Sequence, residues 1–285
     1  MDEVFEDGEI MKITSLFLIT SGLATLILVS TWFVLRRLKQ QILWQRWYTW
    51  LAISILFGSS YLLDAFVFRG LVLSLGMVML FEFCRLMKYF DAITAFLMMI
   101  VFQHYFDVFL GFSPAGINLV IFVPALIISG YLFKASKLWI TPVTFFGVLL
   151  IGLVWPLLVL QPDKTLALLL TVACFDVASF AGGTLFGKSG KLSLKLFPKT
   201  SPNKTLAGLL SGILAVALVL FLFNRFNPIS LLLLITGAVL GDYLESKVKR
   251  FAEVKDAGNW LPGFGGLLDR FDSLILVAPL AVIIF

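Results

Sequence analysis

Long apolar runs, broken by charged residues or by proline and glycine, organise this chain from end to end. A helix needs about 20 mainly apolar residues to cross the hydrocarbon layer of a bilayer. Runs of that kind predict spans near 13–35, 48–66, 69–84, 91–111, 115–133, 138–160, 165–186, 205–224, 228–246 and 268–285. The third is short, and the second and fourth carry acids. The pattern is that of an all-α, polytopic integral membrane protein with about ten transmembrane helices.

The polar positions divide the chain near residue 164. Residues 1–163 hold about six spans with scattered polar side chains, whereas in 164–285 the loops become rich in Gly, Ser and Lys and the acids move to helix ends. The chemistry is expected in that second region, with its basic loops cytoplasmic.

Orientation follows from Lys and Arg, which are retained on the cytoplasmic side. With the N-terminus outside, seventeen of them fall in inner loops and four (Lys12, Arg69, Lys164, Arg225) fall outside, with Arg270 near an inner helix end. The largest inner groups are Lys188, Lys191, Lys195, Lys199 and Lys204, and then Lys247, Lys249, Arg250 and Lys255. These loops suit anionic headgroups or a soluble polyphosphate. The first residues are acidic (Asp2, Glu3, Glu6, Asp7, Glu9), the reverse of a signal peptide's basic start, so the first span is expected to be retained as an anchor.

Composition narrows the function. Of 285 residues, 60% are hydrophobic and 14% charged, too few ions to cover a soluble globule of this length. Cys84 and Cys174 lie in apolar runs without partner-like spacing, which argues against a disulfide framework and a thiolate metal site. His104 is the single histidine, which disfavours zinc hydrolysis and a histidine-based triad. No nucleic-acid module is evident. Asp64, His104 and Asp107 read as interhelix hydrogen-bonding groups, and the tryptophans as interfacial anchors.

At the end of the ninth span, Asp242, Ser246 and Lys249 stand at i, i+4 and i+7, so a carboxylate, a hydroxyl and an ammonium share one helical stripe. An acid inside an apolar span is costly unless it is paired or hydrated. A structural Asp–Lys pair at the helix end would account for these residues alone. A short loop then leads to Asp269, Arg270 and Asp272 at the start of the last span, where the helix dipole favours acids. Asp242 and Asp269, on two helix ends joined by this loop, would suit a hard cation such as Mg²⁺, which takes carboxylates together with substrate phosphates. Lys249, Arg250, Lys255 and Arg270 would then neutralise phosphate oxygens. The other basic loop carries Asp176, glycines 182, 183 and 187, Lys188, and Ser201-Pro202-Asn203-Lys204-Thr205. It contains no Walker loop, so phosphate binding here would fall to lysines and hydroxyls.

The run Ser246-Lys-Val-Lys-Arg-Phe-Ala-Glu-Val-Lys-Asp-Ala-Gly-Asn-Trp-Leu-Pro-Gly-Phe-Gly-Gly-Leu-Leu-Asp-Arg-Phe-Asp272 resembles the signature of phosphatidate cytidylyltransferases, also called CDP-diacylglycerol synthases. That signature reads S-x-x-K-R, four residues, K-D, then P-G-H-G-G and D-R-x-D. Asp176 to Lys188 is similar to the family's second block, and Ser201-Pro202-x-Lys204-Thr205 with Gly208 to its S-P-K-K-T-x-E-G segment. Phe81-Glu82-Phe83 resembles an aromatic–Glu–aromatic element. Two positions depart: Phe264 stands for the usual His, and Ala207 for the usual Glu. Phe264 removes a polar group near the phosphates, which bears on rate, pH dependence and substrate preference.

The resemblance implies attack of the phosphate of phosphatidic acid on the α-phosphorus of CTP, without a covalent protein nucleophile, to give CDP-diacylglycerol and pyrophosphate. It implies Asp242 and Asp269 as ligands of catalytic Mg²⁺, with Asp272 and Asp256 in support and K⁺ as a second, monovalent cation. Lys249, Arg250, Lys255, Arg270, Lys188 and Lys204 would hold phosphates, and Ser246 and Ser201 would donate hydrogen bonds. Asp176, at an inner helix end, would face the substrates. A homodimer in a bacterial inner membrane, with a cytoplasmic active site, is implied as well. The alternatives are an archaeol-type cytidylyltransferase or polyprenol kinase, and, in another class, a lipid transporter or a scaffold without catalysis.

Overall fold

The structure, a computed structural model, describes residues 17–29, 31–32, 36, 41–86, 157, 160–188, 190–198, 201–262 and 265–284. The expected spans near 91–111 and 115–133, all but two residues of that near 138–160, and His104, Asp107 and Phe264 lie outside the described residues. The described chain is mainly helical: α1 (Phe17–Val29), α2 (Gln41–Leu63), α3 (Ala65–Leu86), α4 (Pro162–Phe186), α5 (Leu206–Leu222), α6 (Pro228–Phe251), α7 (Leu268–Phe271) and α8 (Leu274–Ile284). Strands β1 (Lys195–Phe197) and β2 (Ser201–Thr205) form the exception to the all-helical pattern. Three described segments, Ala65–Phe83, Pro162–Phe186 and Pro228–Phe251, are long and apolar enough to cross a membrane, as befits a helical membrane protein.

Two compact units divide the chain. One holds Met1–Ala65, Gln161–Thr236 and Ile283–Phe285; the other holds Phe66–Leu160 and Gly237–Val282.

In the first unit, α4 opens with Pro162 and Asp163, a start that costs no hydrogen bond and places an acid at the helix's positive end. Gly187 ends the helix, its N–H bonded to the Gly183 carbonyl at 3.0 Å. Helix α5 is capped by Thr205, whose hydroxyl accepts from the Gly208 N–H at 3.3 Å. Ala167, Cys174, Val219 and Phe223 form a buried core, against which Leu23, Ile27 and Leu170 pack. Helices α4 and α5 approach closely because their contact is made of small residues. A methyl group at Gly212 would come within 2.3 Å of Ser179 Oγ, and one at Gly182 would overlap Ser211. Glycines 182, 183 and 187 therefore serve packing, since a Cβ at either of the last two would press on Thr205. Strands β1 and β2 pair antiparallel, with Lys195 opposite Thr205 and Phe197 opposite Ser201. The Leu206 N–H donates to the Leu194 carbonyl at 2.8 Å and fastens this hairpin to α5.

In the second unit, Gly237 lies against Val277, and Gly241 against the carbonyls of Asp272 and Ser273, where an added Cβ would come within 2.6 Å of the Asp272 oxygen. This close approach brings the end of α6 to the junction of α7 and α8. The expected single span near 268–285 is thus corrected to two helices. The physical reason is local: the Ser273 N–H is taken by Asp272 Oδ1 at 2.7 Å, a side-chain acceptor that competes with the helical carbonyl. Leu267, Leu268, Phe271, Leu274, Ile275, Val277 and Ala278 are buried around the junction.

Candidate active site

The last turns of α6 carry Glu245 and Lys249, one turn apart on the same helical face. Glu245 is fully buried, and its Oε2 lies 2.6 Å from Lys249 Nζ. The same ammonium donates to Asp269 Oδ1 at 2.8 Å. Asp269 is buried in α7 and uses its other oxygen for the loop, accepting from the Ala257 N–H at 2.8 Å and the Gly266 N–H at 2.7 Å. One carboxylate therefore joins α6, both arms of the loop and the start of α7.

A second carboxylate organises the same loop. Glu82, on α3 and 4% exposed, accepts from the Leu267 N–H at 2.9 Å and the Leu268 N–H at 2.7 Å, and from the indole N–H of Trp260. Leu261 and Gly265 exchange backbone hydrogen bonds at 2.9 and 3.2 Å, which closes the turn between them. Gly265 has φ +94°, a conformation that side chains other than glycine rarely adopt.

The carboxylates outnumber the ammonium among them. Lys249 faces both Glu245 and Asp269, and Glu245 Oε1 is buried without a hydrogen-bond partner among the described residues. A buried carboxylate is costly unless it is compensated by opposite charge or by donors. Among the described residues, no three His, Cys, Asp or Glu side chains are grouped closely enough to hold a metal by themselves. All-oxygen donors and a local excess of negative charge would suit a hard cation such as Mg²⁺, which takes one or two carboxylates and leaves its other positions to water and phosphate.

The remaining sequence-selected residues are placed as follows. Asp242 and Ser246 are half-buried on α6, and the Ser246 hydroxyl donates to Asp242 Oδ1 at 3.3 Å, as their i, i+4 spacing predicts. Arg250 is exposed, its Nη1 donating to the Val254 carbonyl at 3.4 Å. Lys255 and Asp256 are exposed on the loop, while Arg270 and Asp272 are half-buried beside Asp269. In the first unit, Asp176 is half-buried on α4, Lys188 is exposed just after it, and Ser201 and Lys204 lie on β2. Ala207 is buried in the first turn of α5.

Sequence reasoning missed Glu245. The signal was available, since Glu245 and Lys249 are a Glu–Lys i, i+4 pair, but a stripe drawn from Asp242 passes it by.

Comparison with known proteins places these features in context. The model of the cytidylyltransferase family matches residues 44–285. A protein of Staphylococcus saprophyticus named phosphatidate cytidylyltransferase is 44% identical over 120 residues, which is 39% of this chain and 44% of that protein. One of the same name from Staphylococcus haemolyticus is 45% identical over 120 residues, with the same shares. A third, from Bacillus subtilis, is 45% identical over 118 residues, 38% of this chain and 43% of the relative. The chain spans less than half the length of the curated relatives it matches.

Proposed function

Because the chain belongs to the cytidylyltransferase family, we propose that it is a phosphatidate cytidylyltransferase, condensing CTP with phosphatidic acid to CDP-diacylglycerol and pyrophosphate. The observation that supports the reading is the meeting of Lys249 with Asp269 at the end of α6, an ammonium that would hold phosphate beside a carboxylate that would hold metal. The name shared by the relatives supports the choice of reaction.

In this reaction a non-bridging oxygen of the lipid phosphate forms a bond to the α-phosphorus of CTP as the bond from that phosphorus to the bridging oxygen breaks, and pyrophosphate leaves with the bond's electrons. The attacking phosphate monoester is already an oxyanion at neutral pH, so the chain has to position and to neutralise rather than to supply a nucleophile. Lys249, Arg250, Lys255 and Arg270 hold phosphate oxygens. Ser246 orients Asp242 through its hydroxyl. Asp242 and Asp269 would hold Mg²⁺, with Asp272 in support, and K⁺ would serve as a second cation. Bound there, Mg²⁺ would offset the negative charge of the two phosphate groups as they approach. The same reading takes the protein as a homodimer with ten spans in a bacterial cell membrane and its active site at the cytoplasmic face. The placement of Lys and Arg supports that orientation.

The test is incubation of the purified protein with α-labelled CTP, Mg²⁺ and phosphatidic acid. Lipid-linked CMP with an equal amount of pyrophosphate is the expected result, lost with EDTA and restored by Mg²⁺. Labelled product only with an ether lipid, phosphorylated polyprenol in a kinase assay, or no product from any lipid would overturn the assignment.

A further inference from the structure

We infer that Glu82 is a positioning residue of the candidate active site, holding the loop 257–268 in the shape that sets Asp269 against Lys249. It is separated from its partners by 178 to 186 residues of sequence.

Three donors converge on this one carboxylate: the Trp260 indole, and the backbone N–H groups of Leu267 and Leu268. The two backbone groups are buried, so each needs an acceptor, and Glu82 supplies it. The loop is shaped to admit the carboxylate. A Cβ at Gly266 would come within 2.7 and 2.8 Å of the two Glu82 oxygens, and a Cβ at Gly258 within 3.0 Å of Oε1.

These contacts lie directly beside those of Asp269. Ala257 donates to Asp269 three residues before Trp260, which donates to Glu82; Gly266, which donates to Asp269, precedes Leu267, which donates to Glu82. Each arm of the loop is thus held by both carboxylates, within three residues on the first arm and at adjacent residues on the second. Glu82 touches neither Lys249 nor Asp269 through any of these bonds, and its effect on the site passes through the loop backbone.

The activity readout rests on the proposed cytidylyl transfer; the structural readout does not. The full-length protein in detergent or nanodiscs is compared with Glu82→Gln and Glu82→Asp. Glutamine turns an amide NH₂ toward a group that needs an acceptor, whereas aspartate keeps the charge on a shorter arm. The expectation for Glu82→Gln is hydrogen exchange in 257–268 faster by about tenfold or more, with α5 protection unchanged. In the same variant kcat per folded molecule falls by about tenfold or more, with KM for CTP moving less than about threefold, and aspartate recovers part of the loss. A residue that only stabilised the fold would lower the yield of folded protein and leave both quantities as in the wild type, and that result overturns the inference. Should the Gln variant not fold, Trp260→Phe removes one of the three donors and leaves the carboxylate; faster exchange confined to 257–268 supports the inference, and unchanged exchange overturns it. A wild-type protein without cytidylyl transfer defeats the proposed function alone, because the exchange result still decides the role of Glu82.

Discussion

The Lys249 ammonium donates a 2.8 Å hydrogen bond to Asp269 Oδ1, twenty residues further along the chain. It also lies 2.6 Å from Glu245, so one cation serves two buried anions that approach from different helices. Association of α6 with α7 and charge compensation within the site therefore depend on the same atom.

Replacing Lys249 by Met leaves Glu245 and Asp269 buried without their cation. Breaking a buried pair in this way costs about 3–5 kcal/mol, and thermal unfolding in detergent should show a large fall in Tm together with loss of activity. Adding Glu245→Gln in the same chain removes one of the two stranded charges and should return part of the lost stability. Strict additivity of the two substitutions would contradict a shared ion pair.

Asp242→Asn keeps an oxygen for the Ser246 hydroxyl, which now meets it at 3.3 Å, and removes the charge. The variant should fold with near-normal Tm and lose roughly 10²-fold or more in kcat, the scale of removing a group that stabilises developing charge. Near-normal turnover would contradict its assignment to the metal.

Gly265→Ala places a methyl group within 2.7 Å of Asp269 Oδ2, at a residue whose φ is +94°. Strain and contact both disturb the carboxylate that receives Lys249. We expect kcat/KM to fall by about 10²-fold, comparable to a misplacement of about 1 Å in a reacting constellation, with α4 and α5 still protected from hydrogen exchange.

Gly212→Ala overfills the crossing of α4 and α5, where the added carbon would meet Ser179 Oγ at 2.3 Å and the Phe175 ring at 2.6 Å. A cost of about 1–3 kcal/mol is expected in unfolding measurements. Gly58→Ala, on α2 with nothing within 4 Å, is the control. It should be neutral or stabilising by up to about 1 kcal/mol.

What the sequence made legible is what local pattern controls. The apolar runs located α4, α5 and the start of α6 to within a few residues, and the i, i+4 spacing of Asp242 and Ser246 became a hydrogen bond. Charge bounds make the run from residue 69 short, but α3 extends from Ala65 to Leu86, because Arg69 and Arg85 continue the helix rather than bound it. The break at Asp272 depends on a side chain competing with the backbone, to which hydropathy is blind. The stripe of Asp242, Ser246 and Lys249 suggests an Asp–Lys pair within one helix, whereas Lys249 pairs with Glu245 and with Asp269 across the loop, and the three donors to Glu82 come from a loop more than 170 residues away, beyond any local periodicity.

The long sequence interval between Glu82 and its donors also bears on biosynthesis. Trp260 follows it by 178 residues, so at about 5–20 residues per second a ribosome needs on the order of 10–40 seconds to deliver the first of them. During that interval none of these three donors is available to the carboxylate. Closure of the loop is then a late event in maturation, since its anchoring acceptor waits for the last quarter of the described chain to supply the donors.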